Sequence, residues 1–92
     1  MTKPRVWFGK ALPGHGETAR WIVNYGPRKH SAPPIGYVVA RRSPGTMTVA
    51  YWYGYALYGG ELLAAGVLTR AEAANAVALH HQQQITKHLF SD

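Results

Sequence analysis

The apolar stretch of residues 47–68 places the strongest constraint on how this chain can fold. It contains five of the eleven aromatic residues and a single charged side chain, Glu61. So much apolar surface must be covered by the rest of a small domain, by a second copy of the chain, or by a membrane. Aromatic residues at consecutive strand positions face both sides of a sheet, and one covering helix cannot bury both. This pattern predicts self-association or a protein partner, with interface residues Tyr51, Trp52, Tyr53, Tyr55 and Tyr58.

A membrane-spanning helix is not expected from this stretch. Residues 43–60 are uncharged, but glycine and tyrosine occupy the middle of that window and Glu61 follows it directly. Tyrosine prefers the bilayer interface, and an acidic residue opposes insertion. The N-terminal sequence lacks the apolar segment and cleavage site of a secretory signal. We therefore predict a cytoplasmic protein that does not associate with membranes.

The sequence predicts an α+β fold in one domain covering residues 1–92. A small antiparallel sheet of about four strands, residues 5–57, packs against one C-terminal helix, with a short helical turn before the helix. The apolar fraction of 47% is typical of a chain that folds. A core of this size is modest, so a homo-oligomer is the expected state. Clusters of aromatic and β-branched residues predict strands over 5–12, 19–25, 35–42 and 47–57, with a tight hairpin turn at 43–46.

The segment of residues 61–89 is expected to be helical. Residues 61–65 predict one helical turn that ends at Gly66, because glycine favours the position after a helix. Thr69 and Glu72 have the spacing of a capping box, so a second helix begins near Arg70 and continues to about residue 89. The narrow apolar stripe predicted on this helix consists of Ala71, Ala74, Ala78, Ile85 and Leu89.

The positive charge lies mostly in the first half of the chain. Residues 1–46 contain eight of the ten Lys and Arg residues but one of the four acidic residues, and the formal net charge is +6. Such asymmetry indicates a polyanionic partner, DNA or RNA, although a basic surface also keeps a small protein soluble. Residues 26–34 contain three prolines and predict a stiff, exposed loop that presents two cations and a histidine together. We predict phosphate contacts from Lys10, Arg20, Arg28, Lys29, Arg41 and Arg42.

The composition does not favour an enzyme, a cofactor or a metal site. There is no cysteine, which excludes thiolate nucleophiles and thiolate metal sites. The four acidic residues are widely separated, and Lys10 is not followed by the Ser or Thr of a phosphate-binding loop. The adjacent His80 and His81 point in different directions on a helix. If acid–base chemistry occurred, Glu17 with His15 would be its first candidate pair.

Two functional hypotheses follow from these patterns. The first is a non-enzymatic accessory protein that binds nucleic acid through basic loops of the sheet, and dimerisation through the aromatic strand or the alanine stripe is compatible with it. The second is a protein–protein interaction module of the kind found among phage and mobile-element proteins. Such a module inhibits or scaffolds a partner protein through its Tyr/Trp-rich strand.

Overall fold

A computed structural model describes residues 5–42 and 50–90 of the chain. Within these ranges, five strands form one antiparallel sheet in the order in which they occur along the chain, and one long helix follows the last strand. The predicted α+β class is confirmed, with five strands in place of about four. The elements are β1 (Val6–Ala11), β2 (Ala19–Tyr25), a 3-10 turn (Lys29–Ser31), β3 (Pro34–Arg42), β4 (Ala50–Ala56), β5 (Leu62–Val67) and α1 (Arg70–Phe90).

The strand that the sequence did not predict is β5. The Glu, Leu and Ala residues of 61–65 have high helix propensity, so they predicted a helical turn, but residues 62–67 pair with β4 instead. Gly59 and Gly60 adopt φ values of +79° and +62°, the conformation of a tight hairpin turn that reverses the chain at once. Gly66, at φ +66°, lies within β5 and does not end a helix. The helical-turn prediction is wrong because pairing with β4 outweighs local propensity.

The predicted hairpin of the third and fourth strands is present, since β3 and β4 pair antiparallel from Gly36 opposite Ala56 to Arg42 opposite Ala50. Its turn at 43–46 and the predicted first residues of the fourth strand at 47–49 lie outside the described residues.

Helix α1 covers one face of the sheet and forms the core with it. Val23 and Val38 of the sheet and Ala73, Ala74 and Val77 of the helix are almost completely buried there. The alternation predicted for β2 is confirmed, because Trp21, Val23 and Tyr25 all belong to this core or pack against it. The core therefore lies between α1 and the centre of the sheet.

The helix approaches the backbone of the two central strands closely, and glycine makes this possible. A Cβ atom on Gly54 would lie 2.9 Å from the carbonyl oxygen of Ala73 and 3.1 Å from Cγ2 of Val77. A Cβ atom on Gly36 would lie 2.6 Å from Cγ1 of Val77 and would also clash with the carbonyl oxygen of Tyr55. Atoms at such distances must move apart, so any larger residue pushes the helix away from the sheet.

The predicted start of α1 is confirmed, whereas the predicted apolar stripe is only partly right. The Thr69 hydroxyl accepts a hydrogen bond of 3.1 Å from the backbone N–H of Glu72, as a capping threonine does. Ala74 and Ala78 are buried as expected, but Ala71 is exposed and Ile85 is 43% exposed. The buried face is centred on Ala73 and Val77, because alanines at many successive positions left the helical phase ambiguous. The side chain of Leu89 lies outside the part of the chain that is described.

Candidate nucleic-acid interface

The sheet face opposite α1 carries aromatic and basic side chains. In β3 and β4 the register places Tyr37 opposite Tyr55, and it pairs two further tyrosines with Val39 and Arg41. Paired residues of antiparallel strands point to the same face, so four tyrosines project from two adjacent strands. Arg20 and Ile22 of β2 lie in the same rows. We call this surface the tyrosine face, and it consists of Arg20, Ile22, Tyr37, Val39, Arg41, Tyr51, Tyr53 and Tyr55.

The tyrosine face covers its own apolar centre. Val39 is 0% exposed although α1 packs on the opposite side of the sheet. Its two partners in the register, Arg20 and Tyr53, have side chains long enough to lie over it. Both partners are themselves half-buried. The face therefore presents aromatic and charged side chains rather than an open aliphatic patch.

Arg20, Tyr37 and Tyr55 form a stack that crosses three strands. The guanidinium carbon of Arg20 lies 4.9 Å from the centre of the Tyr37 ring. The rings of Tyr37 and Tyr55 are stacked with their centres 5.1 Å apart and their planes 16° from parallel. Because β2 and β4 flank β3 on opposite sides, both faces of the Tyr37 ring are occupied. Tyr37 thus offers a ligand its edge and its hydroxyl but no free ring surface.

Glu17 joins two arginines at the end of the tyrosine face next to the β1–β2 loop. Arg20 donates from Nε and Nη2 to the two carboxylate oxygens at 2.9 and 2.7 Å, and Arg41 Nη2 lies 3.5 Å from Oε2 in a looser contact. The backbone N–H of Gly14 donates to Oε1 at 2.8 Å, which holds the loop against the same carboxylate. The Glu17 side chain is 3% exposed, whereas those of Arg20 and Arg41 are 32% and 40% exposed.

The charge state of Glu17 follows from these contacts. The hydrogen bonds from Arg20, the largest cause, hold the pKa of Glu17 below its usual value, and this outweighs the opposite effect of burial. A carboxylate that is surrounded by donors and favours its ionised form is a weak proton acceptor. His15, the other half of the acid–base pair considered above, lies exposed in the same loop. We therefore interpret Glu17 as an anchor for arginine side chains.

The six predicted phosphate-contacting residues fall into two groups at opposite ends of the sheet. Arg28 and Lys29 lie exposed at the 3-10 turn that follows β2, and the other four lie at the end where β1 and β3 finish. Nine residues of β3 separate the two ends by about 26 Å at the usual rise per strand residue. The tyrosine face occupies the space between the two groups.

The register further divides the group near the β1–β2 loop. Lys10 pairs with Trp21, and Arg42 follows Arg41 in β3, so both belong to rows that alternate with those of the tyrosine face. Both side chains are exposed. Arg20 and Arg41 are the two predicted cations that point onto the tyrosine face.

The predicted interface residues also divide. Tyr51, Tyr53 and Tyr55 belong to the tyrosine face, whereas Trp52 packs against the core under α1. Tyr58 lies in the turn between β4 and β5 and is 88% exposed.

Tyr37 and the contacts of Glu17 were not predicted from the sequence. The alternation of Tyr37 with Val39 and Arg41 in the third predicted strand could have indicated that Tyr37 shares a face with Arg41. The three-residue spacing of Glu17 and Arg20 was a local signal for their ion pair, but Arg41, 24 residues away, reaches Glu17 only through the pairing of β2 with β3.

A groove of about 360 Å³ lies on the opposite side of the molecule, between α1 and the end of β4. Its floor includes Ile35 and Ala56, and His80 and His81 of the helix line its wall. Burial, with a smaller contribution from His80, lowers the pKa of His81, whose ring lies 5.0 Å from that of Tyr25. Within the described ranges, no group of three or more metal-ligating side chains comes together here or elsewhere.

Comparisons of the chain with protein-family models, with curated proteins and with solved structures gave no match. Within residues 5–42 and 50–90, no helix is both long and apolar enough to cross a membrane. The function has to be inferred from the chemistry of the surfaces themselves.

Proposed function

We propose that this protein is a non-enzymatic accessory protein that binds nucleic acid, DNA or RNA, on the tyrosine face. The observation that supports this most is the register that sets Arg20 and Arg41 among the tyrosines of β3 and β4. Cations neutralise backbone phosphates and release counterions, and aromatic rings stack on unpaired bases. The tyrosine face offers both kinds of contact side by side. The net charge of +6 adds a long-range attraction for polyanions.

The geometry favours a single strand over a duplex. A base can stack on a tyrosine ring only when it has left its own base stack. Tyr37 has no free ring surface, so the stacking contacts are assigned to Tyr51 and Tyr53, which flank Arg41 and Val39 in the register. In a duplex the bases would be hidden and the rings would gain little.

The two groups of cations define a path for the strand. A single strand lying along β3 meets Arg41 at one end and Arg28 with Lys29 at the other. The distance of about 26 Å between them suits a site of about four nucleotides, the short end of the range for sheet-based single-strand binders. Contacts of this kind carry little base specificity, since they involve phosphates and ring faces.

Fluorescence anisotropy with a labelled single-stranded 12-mer of mixed sequence, titrated with salt, tests the proposal. We expect affinity to fall steeply with salt, with a slope near −0.7 per phosphate neutralised. Replacing both Arg28 and Lys29 by alanine removes two such contacts and makes the slope shallower by about 1.4. Binding that is absent, or that does not respond to salt, would refute the proposal.

A pair of tyrosine variants tests where the strand lies. Tyr51→Ala removes a stacking ring at the rim of the tyrosine face, opposite Arg41, and is expected to weaken binding by about 1–3 kcal/mol. Tyr58→Ala removes an equally large ring from the β4–β5 turn, outside the proposed path, and serves as the matched control. Equal losses in the two variants would show that the tyrosine face is not the site.

The same preparations also examine the protein-interaction hypothesis. Light scattering at two protein concentrations after nuclease treatment reports self-association independently of nucleic acid. A dimer that persists without nucleic acid and is lost in Tyr58→Ala would favour an interaction module that uses this exposed ring. A monomer at both concentrations, with salt-dependent binding of the 12-mer, would favour nucleic-acid binding.

A further inference from the structure

We infer that Glu17, Arg20 and Arg41 form a preorganised site for one backbone phosphate, in which Glu17 positions the two guanidinium groups for the ligand. The inference rests on the proposed function, because it assigns one phosphate of the bound strand to one place on the tyrosine face. The alternative interpretation of this cluster is an internal ion pair in which Glu17 only cancels positive charge. The two interpretations predict opposite effects of removing the carboxylate.

The cluster retains positive charge and donors that no described protein group uses. One carboxylate lies between two guanidinium groups, so the cluster retains a net charge of +1 when all three side chains are ionised. A guanidinium group has five N–H donors. Arg20 directs Nε and Nη2 toward Glu17, and Arg41 directs only Nη2 toward it. Among the described residues, no acceptor binds Nη1 of either arginine or Nε of Arg41, so several donors are available to a ligand.

The Arg20 guanidinium group and the Glu17 carboxylate are held rigidly. The two hydrogen bonds from Arg20 to both oxygens of Glu17 fix the plane of its guanidinium group. The Tyr37 ring, 4.9 Å from the same guanidinium carbon, supports it from a second side. Glu17 is fixed in turn by the backbone N–H of Gly14. A flexible arginine loses side-chain entropy when it binds a phosphate, and here much of that loss has already occurred in the folded protein.

The two guanidinium groups are more accessible to an approaching anion than the carboxylate between them. The carboxylate is 3% exposed, while the two arginine side chains are 32% and 40% exposed. An anion that approaches the tyrosine face therefore meets the guanidinium groups before it meets Glu17. Two guanidinium groups match the two non-bridging oxygens of a phosphodiester, a geometry that lysine cannot reproduce. Tyr51, directly opposite Arg41 in the register, lies where an attached base would stack.

Glu17→Gln gives a test whose sign separates the two interpretations. The substitution raises the net charge by one unit, so charge cancellation predicts tighter binding of the single-stranded 12-mer. Positioning predicts weaker binding, by about 5- to 100-fold, from the ordering of two arginine side chains that the ligand must now supply. Glu61→Gln adds the same charge at a side chain that is 68% exposed in the turn before β5, and it should bind as tightly as the wild type or slightly more tightly.

A charge-conserving pair covers the case in which Glu17→Gln disturbs the loop. Arg41→Lys keeps the charge but loses the planar donor group, and we expect its affinity to fall by about 5- to 10-fold. Arg42→Lys makes the same change at the next residue, which points to the other side of the sheet, and should leave the affinity unchanged. Circular dichroism and thermal melting of all four variants identify any loss of folding.

The outcomes distinguish the phosphate site from the proposed function. If the wild type binds the 12-mer with a salt-dependent affinity, but Glu17→Gln binds as tightly and Arg41→Lys matches Arg42→Lys, the phosphate site is wrong and nucleic-acid binding stands. If the wild type does not bind at all, both are overturned. Weaker binding of Glu17→Gln and of Arg41→Lys, with both controls unchanged, supports the site.

Discussion

Replacing Gly54 by alanine tests the close approach of the α1 backbone to β4. The new Cβ atom would lie 2.9 Å from the carbonyl oxygen of Ala73 and 3.1 Å from Cγ2 of Val77. The first of these is helix backbone, which cannot rotate away as the end of a side chain can. The helix must therefore shift outward, and it loses contact with the core of the sheet.

The expected magnitude follows from two opposing effects. Overpacking of a well-packed core typically costs about 1–3 kcal/mol. Alanine also reduces the freedom of the unfolded chain relative to glycine, which contributes about 0.4–1 kcal/mol of stability. The free energy of unfolding should therefore decrease by about 1–2 kcal/mol, a large share of the 5–15 kcal/mol that a domain usually has.

A double-mutant cycle with Val77 tests whether crowding against this side chain contributes to the loss of stability. Val77→Ala removes two buried methyl groups and should cost about 2 kcal/mol alone. It also makes room beside the new Cβ at position 54, so the double variant should be more stable than the sum predicts by about 0.5–1.5 kcal/mol. Urea unfolding followed by the fluorescence of Trp21 and Trp52, which pack against the core, measures all of these values.

Gly9→Ala is the matched control for this cycle. Gly9 also lies in a strand, but a Cβ atom there would have its nearest neighbours at 3.6 and 3.8 Å, which are ordinary contacts. The reduced freedom of the unfolded chain acts there without overpacking, so Gly9→Ala should be as stable as the wild type or more stable by up to about 1 kcal/mol. If Gly54→Ala is as stable as Gly9→Ala, the new Cβ atom does not overpack the contact with α1. Strictly additive Gly54 and Val77 effects would show that Val77 is not part of that overpacking.

Three further predictions concern the start of α1 and the loop at Glu17. Thr69→Ala should lower stability by about 1 kcal/mol in thermal melts while Thr69→Ser restores it, because the hydroxyl caps the helix. Arg70→Ala should cost about 1 kcal/mol in urea unfolding and Arg70→Lys less, since the guanidinium carbon lies 4.0 Å from the ring centre of Phe8 and 4.9 Å from that of Trp21. The native pKa of Glu17 is lowered, so its contribution to stability is complete above its ordinary value of 4.5 and is lost as the pH falls through the native value. Glu17→Gln should therefore flatten the dependence of melting temperature on pH below about 5, and an unchanged acid profile would contradict the ion pair.

The sequence predicted a strand or helix correctly where the residues of that element determine its structure by themselves. The β2 prediction of 19–25 matches the observed strand because aromatic and β-branched residues alternate there between turn residues. The start of α1 at Arg70 follows from a capping threonine one residue earlier. The strand β5 was not predicted, because its Leu and Ala residues favour a helix when considered alone and form a strand only beside β4. The Gly59-Gly60 pair was the one local sign of a hairpin.

The candidate site was harder to predict from the sequence than the fold, because its geometry depends on pairing between strands that are distant along the chain. The sequence indicated a basic half and an aromatic strand, but Arg41 and Arg42 are neighbours with the same side chain. Only the register of β3 with β4 shows that the first points to the tyrosines and the second away from them. The convergence of Arg20 and Arg41 on Glu17 likewise requires the pairing of β2 with β3. A shift of one residue in either register would dismantle the site.

The central strand explains why aromatic side chains on both faces of this sheet do not require a second copy of the chain. Val38 and Val39 are consecutive and point to opposite faces, yet both are 0% exposed. Val38 is covered by α1, whereas Val39 is flanked in the register by Arg20 and Tyr53, whose side chains are long enough to cover it. The tyrosine face is therefore a structural layer as well as a proposed binding surface. Substitutions at its centre will alter stability and binding together, so the variants that isolate binding are those at its rim, where Arg41 and Arg42 are neighbours that point to opposite sides of the sheet.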